Sequence, residues 1–291
     1  MPTPTPFATD LHFPECPRWH DGALWLSDMW DHTVFRFDPD GTRHVVHRFP
    51  DDEDPGGLGW LPDGRMLVVG MLGRVLYRLE PGGGGGDGAV VHADLRSLAP
   101  HQVNDMIVGP DGSAYVTQFG HEMWGDHADM GPTVMIRVAP DGTVEIGADD
   151  LMIPNGVAVA DDGKTLVVAE SAAARLSRYS VRDGLLADRR QVPLTPAADM
   201  PFVAPDGICL DAEGGIWAAD PLARRIVHLT DDTIDQEVPL DGFPLACVLG
   251  GEDRRTLFVC TNEVWSKPDR RPRPTGSVVT VRADVPGAGR P

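Results

Sequence analysis

Lysine is almost missing from this chain. Lys164 and Lys267 are the only two among 25 basic residues, and the dominance of arginine reads as the base-composition bias of a GC-rich genome, not as a physical requirement. Basic residues are themselves outnumbered, 44 acidic to 25, for a formal net charge of −19. That balance argues against a nucleic-acid backbone or an anionic membrane as partner, since both require basic patches. Cysteine is scarce too. Cys16, Cys209, Cys247 and Cys260 show no CxxC spacing, and three of them sit in apolar strand-like runs, where cysteine behaves as a small hydrophobe. Four free thiols in a reducing cytosol are expected. No run approaches about 18 uninterrupted apolar residues, so no spanning helix is expected. The start, MPTPTPFATD, lacks the basic and apolar regions of a signal peptide, and a cytoplasmic protein is expected. Motifs of several large enzyme classes are absent as well. There is no GxGxxG, no P-loop and no GxSxG, which disfavours nucleotide chemistry and a serine nucleophile on a strand-to-helix elbow.

What the chain does have is punctuation. Glycine (33) and proline (27) make up about a fifth of it. Six segments share one outline of strand, Asp-Gly-type turn, strand, polar loop, strand; NDMIVGPDGSAYVTQFG, NGVAVADDGKTLVVAES and DGICLDAEGGIWAAD show it most plainly. The turn glycines Gly22, Gly64, Gly112, Gly163 and Gly214 follow one another at intervals of 42, 48, 51 and 51 residues. In PDG and DDG the aspartate closes the turn and the glycine tolerates positive φ. The flanking runs are rich in Val, Leu, Ile and aromatics, and none carries a sustained helical stripe. Repeats of roughly 40–50 residues with three or four strands each indicate a β-propeller. The expectation is therefore all-β: one six-bladed propeller over 1–291 with four-stranded antiparallel blades, residues 1–6 trailing as a flexible tail. The stretch Phe7 to Phe13 could add an outer strand to the last blade. Gly82 to Gly86 reads as a flexible loop, and Arg270 to Pro274 as an exposed one.

Placed in the repeat frame, a few polar residues fall into register. Asn104, Asn155 and Asp206 each lie eight positions before a turn glycine, and Glu15 lies seven before Gly22. Gly56 and Ala246 hold that place in blades two and six. Equivalent positions of a radial repeat converge on its axis, so the four polar side chains should meet at one mouth of the channel. Two carboxylates held together need a cation or a shared proton. Two carboxylates with two amide oxygens suit one hard divalent cation: calcium fits best, magnesium or manganese next, and zinc less naturally. Asp105 should point away from Asn104 by strand alternation and serve structure.

These pieces carry a resemblance. ECPRW with LWLSD, VNDMIVGPDGSAYV, IPNGVAVADDGKTLVVAES and PDGICLDAEGGIWAAD resemble the senescence-marker-protein, gluconolactonase and luciferin-regenerating-enzyme family of six-bladed propellers over about 250 residues. The resemblance implies a divalent-metal-dependent hydrolase, most often a lactonase. It also implies Glu15, Asn155 and Asp206 as metal ligands, with Asn104 on metal or substrate. Sugar-lactone members carry an arginine where this chain has Gln102, and glutamine cannot supply a charged, forked donor. A plain aldonolactone is therefore not the expected substrate.

Loops after the second strand of each blade should rim the same mouth, Glu170, Ser171, Asp220 and Asn262 among them. The longest, HEMWGDHADMGP, carries His121, Glu122, Trp124, Asp126 and His127 and could form a lid. The substrate-binding candidates are Gln102, Asn104, His121, Glu122 and Trp124, and Asp206 is the candidate general base. The leading reading is a lactonase or ester hydrolase acting on a small molecule, as a monomer or weak homo-oligomer. A phosphotriesterase-like hydrolase using the same site and a non-catalytic calcium-binding propeller are the alternatives.

Overall fold

A computed structural model describes residues 3–80, 88–125, 130–160, 162–194, 202–265 and 273–288. The first strand, β1 (Thr5–Leu11), precedes six consecutive blades. Blade one holds β2 (Pro14–His20), β3 (Ala23–Asp28), β4 (Thr33–Phe37) and β5 (Arg43–Arg48). Blade two holds β6 (Pro55–Trp60), β7 (Met66–Gly70), β8 (Val75–Leu79) and β9 (Ala89–Asp94). Blade three holds β10 (Val103–Val108), β11 (Ala114–Gln118), β12 (Thr133–Val138) and β13 (Val144–Leu151). Blade four holds β14 (Pro154–Val159), β15 (Thr165–Glu170), β16 (Arg175–Arg182) and β17 (Leu185–Pro193). Blade five holds β18 (Ile208–Leu210), β19 (Ile216–Asp220), β20 (Arg225–Thr230) and β21 (Thr233–Pro239). Blade six holds β22 (Phe243–Gly250), β23 (Thr256–Asn262) and β24 (Gly276–Arg282), with β1 as its outer strand.

Every sheet is antiparallel and four-stranded, and the inner strands neighbour one another around a closed ring. Among the described residues the only helical pieces are three single 3-10 turns, Met29–Asp31, Ser171–Ala173 and Pro221–Ala223. None is long or apolar enough to cross a membrane.

The strand patterns follow from position in the ring. Second strands β7, β11 and β19 are buried at every residue, because each blade is covered on both faces by its neighbours. Their sequences, MLVVG, AYVTQ and IWAAD, are accordingly mostly apolar. Outer strands have fewer neighbours and expose alternate or successive residues, as in β5 and β17. The turn glycines Gly22, Gly64, Gly112, Gly163 and Gly214 all take positive φ, and Gly251 does the same in blade six.

Ring closure corrects one expectation. Thr5 and Pro6 pair with Thr280 and Val279, so these residues belong to the closing strand and not to a tail. Trp19 of blade one stacks on Phe258 of blade six at 5.4 Å and 14°, which seals the same seam with buried apolar surface. The four cysteines are free and buried. Gly82 to Gly86, most of Arg270 to Pro274, and Asp126 and His127 lie outside the described residues.

Candidate active site

The inner strands do not run straight. Register shifts interrupt pairing between Glu15 and Arg18, Pro55 and Leu58, Val103 and Met106, Pro154 and Val157, and Pro244 and Ala246. A bulge of this kind adds a residue and re-aims the side chains beside it. Glu15, Asn104 and Asn155 lie at or within these bulges, and Asp206 begins the corresponding irregular stretch before β18. Neighbouring blades leave no room there for larger residues. A Cβ on Gly156 would lie 2.5 Å from the Asp206 carbonyl oxygen, and one on Gly207 would lie 2.3 Å from the Ala246 Cβ. Glycine at these two places lets adjacent blades bring Asn155 and Asp206 together.

All four polar residues line one cavity of about 590 Å³ at a mouth of the channel. Asn104 Nδ2–H donates to Asn155 Oδ1 at 2.7 Å, and Asn155 acts to lower the carboxyl pKa of neighbouring Asp206. Asn155 Nδ2 also lies 3.4 Å from Ser171 Oγ, whose hydroxyl donates to the Pro205 carbonyl at 2.7 Å. Glu15 accepts the Cys16 N–H at 3.0 Å. Burial pushes the Glu15 carboxyl above its ordinary range, and the Asp105 charge adds to this; the Cys16 N–H and the Arg18 guanidinium act against it. Asp206 is pushed up by burial first, then by the charges of Glu15 and Asp105.

Asp105 does serve structure. Its carboxylate pairs with Arg18 Nη2 at 2.6 Å, both side chains being buried. Arg18 is otherwise spent on backbone: Nε–H reaches the Leu58 carbonyl, Nη1–H that of Pro17, and Nη2–H that of Met106. When all three carboxylates are ionised, they exceed the one guanidinium by two negative charges. No Lys or Arg is among the described residues lining the cavity. One divalent cation would neutralise that excess, and the oxygen-only donors suit a hard ion. The Asn155 Oδ1 has two lone pairs, so its bond from Asn104 leaves room for a ligand.

Other residues fall where the sequence reading did not put them. Gln102 does not line the cavity; its Oε1 accepts the Met123 N–H at 3.3 Å and so anchors the loop that carries Met123 and Trp124. Glu122 is exposed and also lies outside the cavity. His121 is buried and lines it, its Nδ1–H donating to the Phe119 carbonyl at 3.0 Å. Trp124 lines it as well, packed near Phe13 and Trp30. The inner strand of blade six lines the cavity with Leu245; Ala246 packs against Gly207 instead.

Glu170, Asp220 and Asn262 turn away from the mouth altogether. Each ends the second strand of its blade, and each is spent on nearby backbone. Glu170 accepts from Met152 N, Asp220 from Ala204 N, and Asn262 Nδ2–H donates to the His12 carbonyl. Asp28 plays the same part for the N–H groups of His12 and Phe13, and Gln118 for the carbonyls of Leu98 and Val134. Blade two has Gly70 at this place, and Glu53 fills the gap from the other side by accepting from Leu72 N and Gly73 N.

A family model described as the SMP-30/Gluconolactonase/LRE-like region matches residues 13–263. The chain belongs to that family. A 6-deoxy-6-sulfogluconolactonase of Pseudomonas putida is 27% identical over 285 residues, covering 95% of this chain and 93% of its own. A luciferin-regenerating enzyme shares the fold with a TM-score of 0.80 at 18% identity, over 98% of this chain and 97% of that one. A regucalcin of Agrobacterium tumefaciens, described as a calcium-binding protein, shares it at 0.77 and 21%, over 97% and 94%. As in these propellers the blades number six, and lactonases are among the relatives of this family member.

Sequence reasoning missed Arg18, Phe13, Met29, Leu222 and Trp265, whereas Ser171, expected at the rim, does line the cavity. Arg18 was in view inside ECPRW, but alternation from Glu15 puts it on the opposite face, and only the bulge turns it inward. Leu222 rides on the 3-10 turn that follows β19, which no hydrophobic pattern announces.

Proposed function

We propose that this protein is a divalent-metal-dependent lactonase in which Asp206 acts as general base. The observation that carries the reading is the meeting of Glu15, Asn104, Asn155 and Asp206 in one largely apolar cavity with no Lys or Arg among the described lining residues. The lactonase relative supports the reaction class, and the calcium-binding propeller of the same fold is in keeping with the oxygen donor set.

Glu15, Asn155 and Asp206, with Asn104, would hold the cation, calcium fitting best, and it would supply Lewis-acid polarisation of the lactone carbonyl. Asp206 takes a proton from an attacking water. The water oxygen adds to the acyl carbon, the ring C–O bond breaks, and the proton passes to the departing alkoxide oxygen. The product is the open hydroxy acid. Asn155 favours the ionised form of Asp206 beside it, and Asn104 orients Asn155. His121, held by Phe119, and Trp124 contact the substrate, while Gln102 acts at one remove by anchoring their loop. Gln102 leaves no forked cation for sugar hydroxyls, so the substrate is not a plain aldonolactone.

The test is hydrolysis of a mixed lactone panel by pH-stat, using metal-stripped protein with and without calcium, magnesium, manganese or zinc. Turnover should return only with a divalent cation. Asp206→Asn and Glu15→Gln should abolish it while the circular-dichroism spectrum is kept. Normal turnover in Asp206→Asn would overturn the assignment, and turnover of phosphotriesters alone would move the protein to that reaction class.

A further inference from the structure

Above its floor the cavity changes character. Glu15, Asn104, Asn155 and Asp206 all come from the inner strands or their entry, and His121 and Ser171 are the other polar residues of the described lining. Ser171 is already bonded to Pro205 and Asn155, and His121 Nδ1 to Phe119. The rest of the described wall is largely carbon. Trp124 packs with Phe13 and Trp30 at centroid separations of 6.4 and 6.2 Å on the side of blades one and three. Blades five and six contribute Leu222, 62% exposed, and Trp265, 42% exposed. These are large apolar groups left uncovered at the rim of a polar floor. Leu222 is placed by the 3-10 turn that follows Asp220, and Trp265 rests on Phe243 at 5.8 Å.

We infer that the substrate is a lactone bearing an apolar alkyl or aryl substituent, with Trp124, Leu222 and Trp265 as the residues that select it. The inference rests on the lactonase reading, since it takes the floor as the place where the ring carbonyl reacts. Two arguments support it. The cavity holds about 20 water volumes at roughly 30 Å³ each, so a bare lactone ring fills only a fraction and the rest of the space meets carbon. A site that selects a hydroxylated ligand presents several hydrogen-bonding groups, because unpaired polar groups on either side are what discriminate. This wall presents two, both partly engaged. Ordered apolar surface around a few convergent polar groups is instead the composition of a site for a largely apolar small molecule.

The experiment compares kcat/KM for four lactones in both five- and six-membered ring series: the unsubstituted ring, an n-pentyl-substituted ring, a phenyl-substituted ring and a polyhydroxylated ring. The pentyl and phenyl substrates should exceed both others by roughly 10- to 200-fold. In Leu222→Ser and Trp265→Ala, changes at exposed side chains, the ratio of substituted to unsubstituted kcat/KM should fall about tenfold. Preference for the polyhydroxylated ring, or a ratio unmoved in both variants, overturns the inference while leaving the lactonase reading intact. Tryptophan fluorescence titrated with the pentyl lactone separates the remaining cases. Saturable quenching without turnover of any lactone supports the apolar pocket and overturns the lactonase reading. Neither quenching nor turnover overturns both.

Discussion

Two sets of buried carboxylates, one ring apart in the same propeller, meet opposite fates. Asp28, Glu170 and Asp220 end the second strands of blades one, four and five, and each is fully partnered. Glu170 accepts from Arg175, Arg189, Ser177 and the Met152 N–H. Burial by itself would raise its carboxyl, but these bonds outweigh burial and hold it below the ordinary glutamate value. Asp220 pairs with Arg225 at 3.0 Å. Glu15 and Asp206 start the inner strands, where no arginine faces them except Arg18, which is committed to Asp105. Burial there raises both carboxyls. The same chemical group, buried in the same fold, thus fastens a blade in one ring and stands ready for a cation or a proton in the next. What separates the two is the presence of a dedicated donor, not depth.

Asp206→Asn should break the comparison most visibly. Loss of a general base lowers kcat by about 10²- to 10⁴-fold, read by pH-stat, while the unfolding midpoint stays level or rises because a buried like charge is gone. Glu170→Gln should do the reverse. It strips the charged partner from two arginines and should cost about 2–4 kcal/mol in a urea titration, somewhat less than a fully buried pair because both arginines are partly exposed. Its pH dependence follows from the sign of the shift. A carboxyl depressed on folding contributes stability above its unfolded value, ordinarily 4.5, and the contribution fades as pH falls below that. The gap between wild type and Glu170→Gln should therefore narrow below about pH 4.5; a gap that widened there would contradict the pairing. Calcium sharpens the contrast further. At 100 times its dissociation constant it should stabilise wild type and Glu170→Gln by about 2.7 kcal/mol, seen as a raised melting temperature, and leave Asp206→Asn unmoved. The smallest effect belongs to the neutral member of the outer set. Gln118→Leu should cost about 1–2 kcal/mol in the same urea titration by leaving the Leu98 and Val134 carbonyls unpaired, with kcat unchanged.

Much of this was readable along the chain. Asp-Gly turns at intervals near 50 residues set the strand pairs, and five turn glycines take the positive φ that their motif demands. Placing Glu15, Asn104, Asn155 and Asp206 in that frame was enough to bring them to one cavity. The frame failed one step away from the turns. Glu170, Asp220 and Asn262 looked like rim residues by their place after an apolar strand, but a side chain ending a strand turns toward whichever backbone donors or acceptors the next segment leaves open. Gln102 was expected to face the substrate, and in this fold its Oε1 instead accepts the Met123 N–H.

The sequence by itself determined the number of blades, the strand order and the shared register of the four floor residues, because turn chemistry and hydrophobic pattern act over a few neighbouring positions. Only the tertiary structure decided which way each side chain beside a bulge points. Strand alternation assigns Arg18 to the face opposite Glu15, whereas the shift between them turns it into the channel to meet Asp105. A single inserted residue reverses a strand's faces, and whether it is tolerated depends on the blade next door, where Gly156 leaves room for Asp206 and Gly207 for Ala246, each in the following blade.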